Sequence, residues 1–390
     1  MSRGKIAVVH NLPNGGGKRL MGWTIKLFAK RGWKIDLFGP EEKNDKNPFK
    51  IDFEGIRFHP QPWMEPPLEK RALLQFINYQ LPRYYRNLSG DMNNAHYSAV
   101  LIYSDWLTMA PWVLRFLSAP KIYIAYETKR EFYEAKTTWP NLEEIIKQKM
   151  WKKLTRFIKP LEIANAKNAD FIFTISKFAQ HEIRKIYRHP QVYWHYPGIP
   201  PHKEQKPPKT VNHNYFLTIG AFTYLKGYDF LIKTIALLPK KWRLPLYAIG
   251  NTSQHQKYIK NLANKLKVEI HFFSNISSYE LSEKLINTTI FLYAPRKEPL
   301  GLALLEGISY SIPTISINEG GPGEISNLLG IPAYPRQPLI FSRGIINLLT
   351  KYKSSKIKAK LIKNKMRFSF SLEKYVSKLE KIINHFGLKQ

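Results

Sequence analysis

Short apolar runs alternate with segments of helical periodicity along the whole chain. Each run suits one strand, and the segments between them repeat their apolar residues at the spacing of an amphipathic helix. In the first half, strands are predicted at Lys5–His10, Trp33–Phe38, Ile56–His59, Ala99–Tyr103, Lys121–Ala125, Phe171–Ile175 and Val192–His195. Helices are predicted at Leu20–Arg31, Leu68–Tyr85 and Asn141–Ala166, the last with a kink at Pro160. This alternation is typical of a parallel α/β architecture.

A polar, proline-rich segment at Pro200–Asn212 interrupts the alternation and is predicted to be a linker. The pattern restarts beyond it, with strands at Tyr215–Ile219, Pro245–Ile249, Val268–Phe273, Ile290–Tyr293 and Thr314–Ile317, and helices at Tyr228–Leu238, Gln254–Leu266, Ser278–Ile286, Leu302–Ser309 and Leu372–Phe386. We therefore predict two Rossmann-like domains, residues 1–198 and 213–370, with a linker at 199–212 and a C-terminal helix at 371–390. Ligands of such sheets bind outside the carboxyl ends of the strands, so we expect the active site in a cleft between the domains.

Composition agrees with a folded, two-domain protein. The chain has 390 residues, of which 44% are hydrophobic, enough for two sizeable cores. It has no cysteine, which excludes disulfides, thiolate nucleophiles and cysteine-ligated metals. It has neither an uninterrupted apolar stretch of spanning length nor a signal-peptide pattern, so we expect a cytoplasmic protein.

The formal net charge of +32 is large enough to attract an anionic partner. Nucleic acid, lipid headgroups and phosphorylated substrates all qualify, and a merely solvated lysine-rich surface is an equally good explanation. No nucleic-acid-binding motif occurs, so no nucleic-acid partner is expected.

The strongest chemical signal is a pair of acids, Glu298 and Glu306, separated by seven residues and placed directly after a predicted strand. If a helix begins near Gly301, its first backbone N–H groups and positive dipole end can hold a phosphate. Glu298 then precedes the helix, and Glu306 lies inside it where a ribose diol could donate to it. The alternative is an ordinary solvent-facing glutamate on an amphipathic helix.

Two further segments follow predicted strands. Lys226, just before Gly227, could neutralise a diphosphate, although lysines are abundant in this chain. The run Asn14–Lys18 contains Gly15, Gly16 and Gly17, where bare backbone can approach a ligand closely or simply form a turn. It lacks the ending of a Walker motif.

Taken together, these motifs resemble the retaining glycosyltransferases of the GT-B fold, family 4. The resemblance rests on Glu298-x7-Glu306, Lys226–Gly227 and the glycine loop, with Ile175–Lys177, Tyr196–Ile199 and Gly320–Glu324 in the same order. It spans nearly the whole chain, is densest over 170–330 and is thinner over 40–120. It implies two Rossmann domains facing a cleft, an acceptor held by the first, a nucleotide-sugar donor held mainly by the second, and a last helix that returns to the first domain.

The resemblance also implies roles for individual residues. Glu298 is similar to the acid beside the donor sugar and Lys226 to the diphosphate ligand. Glu306 corresponds to the ribose ligand. The remaining donor contacts are placed at Gly16, Gly17, Gly301, Leu302 and Ala303. No metal is expected, because no DxD-type pair lies beside a nucleotide loop and the lysine with the helix dipole can do the work of a divalent cation. No cofactor is expected either, since the donor, most simply a UDP- or GDP-sugar, is itself the substrate.

Two positions depart from the family pattern. Ala221 stands where an arginine usually precedes the lysine, which leaves Lys226 alone or aided by Arg296 or Lys297. Tyr126 stands at the position of a histidine, so Tyr126 or Glu127 would take its catalytic role, with Asp105 and Arg130 on the acceptor side. These departures keep open a catalytically weakened protein that acts as a basic membrane- or nucleic-acid-binding module. A GT-B sugar-nucleotide epimerase or a phosphorylase, which would share the cleft but not the acceptor, is the other alternative.

The acceptor is expected to be a sugar or a lipid-linked molecule near an anionic membrane. The first domain carries apolar and aromatic residues interleaved with cations, which suits an interfacial surface. They are Trp63, Leu73, Leu74, Phe76, Ile77, Tyr84 and Tyr85 with Arg71, Arg83 and Arg86, together with Lys18, Arg19, Lys26, Lys30 and Arg31. The alternative is that the apolar side chains face the core of the domain.

Overall fold

The computed structural model describes residues 3–40, 53–62, 67, 70–105, 108–134, 156–200 and 214–387. The described residues divide into two units. The first holds those up to Tyr133, those from 156 to Pro197 and those from Leu372 onward, and the second holds Glu134 and the described part of Gly198–Ser371.

The strands described in the first unit form one parallel sheet in the order β3-β2-β1-β4-β5-β6-β7. They are β1 Lys5–Asn11, β2 Lys34–Pro40, β3 Ile56–Gln61, β4 Ala99–Asp105, β5 Lys121–Ile124, β6 Phe171–Thr174 and β7 Val192–Trp194. Every residue of β4 is buried, because helices cover both faces of a central parallel strand.

The helices described in this unit begin with α1 Gly16–Lys30, α2 Lys70–Gln75, α3 Leu81–Asn93, α4 Arg130–Tyr133, α5 at 156–166 and α6 Lys177–Tyr187. A π-helical turn, Phe76–Gln80, joins α2 to α3. The helix α5 continues through Pro160, and the earlier part of the predicted Asn141–Ala166 helix lies outside the described residues.

The apolar residues of the α2–α3 segment belong to the core, so the predicted interfacial surface is wrong for them. Leu73, Phe76, Ile77 and Tyr85 are buried in the hydrophobic core, and Leu74 and Tyr84 pack against it. Lys18 is buried as well, at 4% exposure. Trp63 lies outside the described residues. Helical periodicity cannot distinguish a face that meets lipid from a face that meets a sheet.

The second unit repeats the architecture around a parallel sheet in the order β10-β9-β8-β11-β12-β13. Its strands are β8 Phe216–Ile219, β9 Leu246–Ile249, β10 Ile270–Phe273, β11 Ile290–Tyr293, β12 Thr314–Ile317 and β13 Ala333–Tyr334. Its helices are α7 Tyr228–Ala236, α8 Gln256–Lys265, α9 Ser278–Ile286, α10 Leu302–Ser309, α11 Gly320–Leu329, α12 Pro338–Thr350 and α13 Tyr352–Ser369. The predicted α/β class with two Rossmann-like sheets is confirmed.

The last described helix, α14 (Leu372–Gly387), belongs to the first unit. Glu380 is 8% exposed. Its carboxylate accepts hydrogen bonds from Arg3 at 3.0 Å, Arg31 at 2.5 Å and the indole N–H of Trp33 at 3.0 Å. Arg31 also pairs with Glu373. A carboxylate shared by two guanidinium groups and an indole holds α14 against the start of the chain.

Candidate active site

The loop between β11 and α10 carries Glu298, whose side chain pairs with Lys226. The Lys226 Nζ lies 2.8 Å from each Glu298 carboxylate oxygen. The two side chains are 26% and 18% exposed, so the pair is largely shielded but open to a ligand. The structure thus brings together two residues that the sequence places 72 positions apart.

Backbone packing positions Lys226. The residue ends the 3₁₀ turn Tyr224–Lys226, and the next residue, Gly227, has φ +73°. A Cβ atom at Gly227 would lie 2.0 Å from the carbonyl oxygen of Ala294, so only glycine permits this approach of the two loops. The methylenes of Lys226 run beside Gly220, the neighbour of Ala221.

Arg296 fastens the Lys226 turn to the Glu298 loop. Its backbone N–H donates to the carbonyl of Leu225 at 2.7 Å, and its guanidinium donates to the carbonyl of Tyr224 at 2.5 Å and to the Asp229 carboxylate at 2.8 Å. These contacts engage the guanidinium of Arg296 in holding the loop, and the hypothesis that Arg296 also aids Lys226 stays a prediction.

Arg336 holds the same loop from another direction. Its guanidinium donates to the carbonyls of Ala294 at 3.0 Å and Pro295 at 2.7 Å, and it pairs with Glu319. Sequence reasoning missed both arginines as positioning residues, since neither belongs to a local motif.

The start of α10 has the geometry of an anion site. Gly301, the N-cap, has φ +101°, and its carbonyl accepts hydrogen bonds from Leu304 and Leu305. The N–H groups of Leu302 and Ala303 come first in the helix, where a helix offers donors without internal acceptors. The backbone N–H of Gly321 donates to the Glu298 carbonyl at 2.8 Å, which ties Glu298 to the start of α11.

Glu306 lies half-buried on α10, one turn beyond the first amides. The buried residue Tyr293 lies near both Glu306 and Glu298. Burial raises the pKa of the Tyr293 hydroxyl well above its ordinary value, and the charges of the Glu298 and Glu306 carboxylates raise it further. Both acids therefore act on the same tyrosine, at the carboxyl end of β11.

In the first unit, the glycine loop meets Tyr126. The helix α1 begins at Gly16, and a Cβ atom at Gly17 would lie 3.1 Å from the Tyr126 ring. Tyr126 is 8% exposed and packs edge-on against Tyr103, with 5.8 Å between ring centroids. Burial raises the pKa of its hydroxyl well above the ordinary value. The glycine loop and Tyr126 thus belong to one packed cluster.

The other residues assigned to the acceptor side lie around it. Glu127 is half-buried, and Arg130, 7% exposed, begins α4. Asp105, at the end of β4, is 1% exposed and accepts hydrogen bonds from Tyr85 at 2.5 Å and Asn11 at 3.3 Å. These are the contacts of a positioning residue, and a direct role of Asp105 toward the acceptor stays a prediction.

Two buried basic residues, His10 and Lys18, were not assigned to the site by sequence reasoning. Burial, and then the charge of Lys18, lowers the pKa of His10 to about 3. Burial also lowers the pKa of Lys18, whose Nζ donates to the Asn14 side chain at 3.2 Å. The position of His10 at the end of a strand, before the glycine loop, was the available signal.

No three His, Asp or Glu side chains in the described part of the chain gather closely enough to hold a metal ion. No helix among the described residues is both long and apolar enough to cross a membrane.

Solved structures identify the class of fold. A sucrose-phosphate synthase from Thermosynechococcus elongatus matches with a TM-score of 0.78 at 16% identity, over 100% of both chains. The Anabaena protein HepE in complex with UDP-glucose matches with a TM-score of 0.72 at 12% identity, over 98% of this chain and 100% of that one. The chain therefore has the α/β fold of the GT-B glycosyltransferases, as predicted.

The family signal lies in the second unit. Residues 201–368 match the family model described as "Glycosyl transferases group 1". The uncharacterized glycosyltransferase MJ1178 of Methanocaldococcus jannaschii is 28% identical over 176 residues, 44% of this chain and 48% of that protein. The match spans about half of that relative's length. The chain thus carries a glycosyltransferase family domain that contains Lys226, Glu298 and Glu306.

Proposed function

We propose that the protein is a retaining glycosyltransferase of family 4 that moves a sugar from a nucleoside-diphosphate sugar to an acceptor hydroxyl. The observation that carries the proposal is the Lys226–Glu298 pair beside the first amides of α10, inside a region that matches the glycosyltransferase family.

In this proposal the donor diphosphate takes the place of Glu298 as the partner of Lys226. The bond between the anomeric carbon and the diphosphate oxygen breaks, the acceptor oxygen bonds to that carbon, and the proton of the acceptor hydroxyl passes to the departing diphosphate oxygen. Lys226 and the amides of Leu302 and Ala303 stabilise the negative charge that develops on the leaving diphosphate. Glu298 is released to face the donor sugar, and Glu306 accepts from the ribose hydroxyls.

The donor is proposed to be a UDP- or GDP-sugar, with no metal or other cofactor. The solved HepE structure contains UDP-glucose, which supports a nucleotide sugar for a chain with the same fold. The lysine and the helix terminus supply positive charge at the place where a metal ion would otherwise act.

The acceptor is assigned to the first unit, where Tyr126, Glu127, Asp105 and Arg130 lie near the glycine loop Gly16–Gly17. A lipid-linked or membrane-proximal acceptor, and peripheral attachment to an anionic membrane, remain part of the proposal. The apolar α2–α3 residues that were expected to meet the membrane belong to the core or pack against it, so they do not supply the apolar part of such a surface.

Ligand binding and product analysis test the proposal. Thermal-shift measurements with UDP, GDP and ADP identify the base, and NMR of the transfer product gives the anomeric configuration. We expect stabilisation by UDP or GDP and a product with the configuration of the donor. An inverted product would refute retention, and a requirement for free phosphate would instead indicate a phosphorylase. The absence of any nucleotide effect would favour a binding module without catalysis.

A further inference from the structure

The helix α13 (Tyr352–Ser369) presents apolar side chains to solvent. Ile357, Leu361 and Phe368 are 64%, 63% and 77% exposed. They account for three of the ten large hydrophobic side chains that are exposed in the described part of the chain. At about 100° per residue, the three fall within a stripe about 40° wide along one face of the helix.

The opposite face of α13 is where the helix packs onto the second unit. Ala359 and Met366 are each 5% exposed and lie about half a turn around the helix from the stripe. The stripe is therefore a second apolar face, one that the fold of this unit leaves in water.

Cations border the stripe on both sides. Lys353, Lys360 and Arg367 lie on one side and Lys358 and Lys365 on the other, and all five are exposed. The whole helix has seven lysines and arginines and no acidic residue. An apolar stripe between two rows of cations is the pattern of a helix that lies in a membrane interface, with its apolar side chains among the acyl chains and its cations at the headgroups.

We propose that α13 is the surface through which this protein binds anionic lipid membranes. Charge complementarity selects the partner, since seven cations without an acid favour an anionic surface. The exposed stripe selects a membrane over a soluble polyanion, because only a membrane also removes three large apolar side chains from water. This inference rests on the membrane attachment in the proposed function and names its surface. Its test is separate from the transfer reaction, because vesicle binding is measured without a donor or an acceptor.

Co-sedimentation of the full chain with vesicles tests the proposal. Vesicles of phosphatidylcholine with about a third phosphatidylglycerol should bind the protein at low salt, binding should weaken at high salt, and pure phosphatidylcholine should bind far less. The variant K358Q/K360Q/K365Q should bind about 100-fold more weakly, since each cation near the surface contributes about 1 kcal/mol, or roughly fivefold. Equal binding to both kinds of vesicle would overturn the proposal.

Matched variants separate the helix from the general charge of the protein. K257Q/K260Q/K265Q removes three exposed lysines from α8 and should lower binding much less. The affinity of I357S/L361S/F368S for anionic vesicles should fall at least tenfold, because three exposed apolar side chains no longer enter the membrane. The control L237S/Y279S changes exposed apolar residues elsewhere and should keep its affinity. Equal losses within either matched set would overturn the assignment to α13.

Because the chain has no cysteine, a single environment-sensitive dye can be placed on the stripe. The variant Ile357→Cys labelled with such a dye should shift to the blue on anionic vesicles, and the same label at Tyr279→Cys on α9 should not. Vesicle binding without a shift at position 357, or tight RNA binding that survives I357S/L361S/F368S, would identify α13 as a polyanion site and refute membrane insertion.

Discussion

Lys226 and Glu298 neutralise each other, with the lysine Nζ 2.8 Å from both carboxylate oxygens. In the proposed reaction, the donor diphosphate competes with this carboxylate for Lys226. The contact fixes the Lys226 side chain against the loop that carries Glu298. Substitutions of Lys226, Glu298 and Glu306 therefore distinguish their proposed roles.

Lys226→Ala should reduce turnover by about 10²-fold or more, because Ala221 leaves no arginine to share the charge of the leaving diphosphate. The measurement is kcat with a sugar of the nucleoside diphosphate identified by thermal shift. Lys233→Ala, which removes an exposed lysine of α7, is the matched control and should leave kcat within about twofold. Equal, small losses in both variants would indicate a nonspecific effect of charge.

Glu306→Ala and Glu298→Ala should affect different steps. Loss of Glu306 should weaken nucleotide binding by about tenfold, since a ribose diol loses its acceptor. Loss of Glu298 should lower kcat more than it weakens binding. Calorimetric titration with the nucleotide and steady-state kinetics separate the two effects, and Glu283→Ala on the exposed face of α9 serves as the control. Wild-type rates in both variants would show that this is not the active site.

Gly227→Ala should destabilise the second unit by about 3 kcal/mol or more for two reasons. The added methyl group would clash with the Ala294 carbonyl, and alanine is strained at the positive φ of this position. Gly330→Ala isolates the strain alone: Gly330 has φ +78° and no atom within 4 Å of its would-be Cβ. That variant should cost about 1 kcal/mol. Chemical denaturation of both variants measures the difference, and equal losses would mean that the two loops do not touch in solution.

His10 should make the stability of the first unit depend on pH. Because its pKa falls from 6.5 unfolded to about 3 folded, the unfolded chain binds the extra proton between these values. Stability is therefore fully present above about pH 6.5 and is lost as the pH falls toward 3.

The loss should reach about 1.4 kcal/mol for each pH unit well inside that range. Denaturation between pH 7 and 4.5 measures it. His10→Asn should flatten the dependence, whereas His181→Asn, at an exposed position, should leave it unchanged. A slope that persists in His10→Asn would assign the titration to another group.

Glu380→Ala should destabilise the first unit by about 3–5 kcal/mol, because Arg3, Arg31 and Trp33 lose a shared, shielded acceptor. Glu373 also pairs with Arg31, but its side chain is 66% exposed. Glu373→Ala should therefore cost at most about 1 kcal/mol. Unfolding midpoints in denaturant compare the stability of Glu380→Ala with that of Glu373→Ala. Similar losses of stability in both variants would show that α14 is held by apolar contacts alone.

Much of the fold could be predicted because β11 and the first five residues of β4 are continuous apolar runs, and both strands are buried along their whole length. The same pattern misled at Phe76 and Tyr85, where aromatic residues beside arginines suited a membrane as well as a core. At α13 the apolar residues form a stripe that faces solvent, and the sequence did not predict that exposure. Lysine density was visible in the sequence, but whether Ile357 and Leu361 face inward depends on what the helix packs against.

The candidate site also has a part that the sequence could predict and a part that it could not. Glu298 and Glu306 could be identified because strand, loop and helix place them by local spacing. Their supports could not, since Arg296, Arg336 and Gly321 act through backbone contacts with loops distant in sequence. The partner of α14 was equally hidden, because Glu380 meets Arg31 across 349 positions.

That long-range contact also bears on synthesis. The strands of the first unit leave the ribosome long before Glu380 is translated, since Gly198–Ser371 of the second unit stands between Pro197 and Leu372. Synthesis proceeds at about 5–20 residues per second, so on the order of ten seconds or more pass between translation of Arg3, Arg31 and Trp33 and translation of Glu380. The first unit therefore emerges first and is completed last, and during that interval the surface that α14 will cover is open to chaperones.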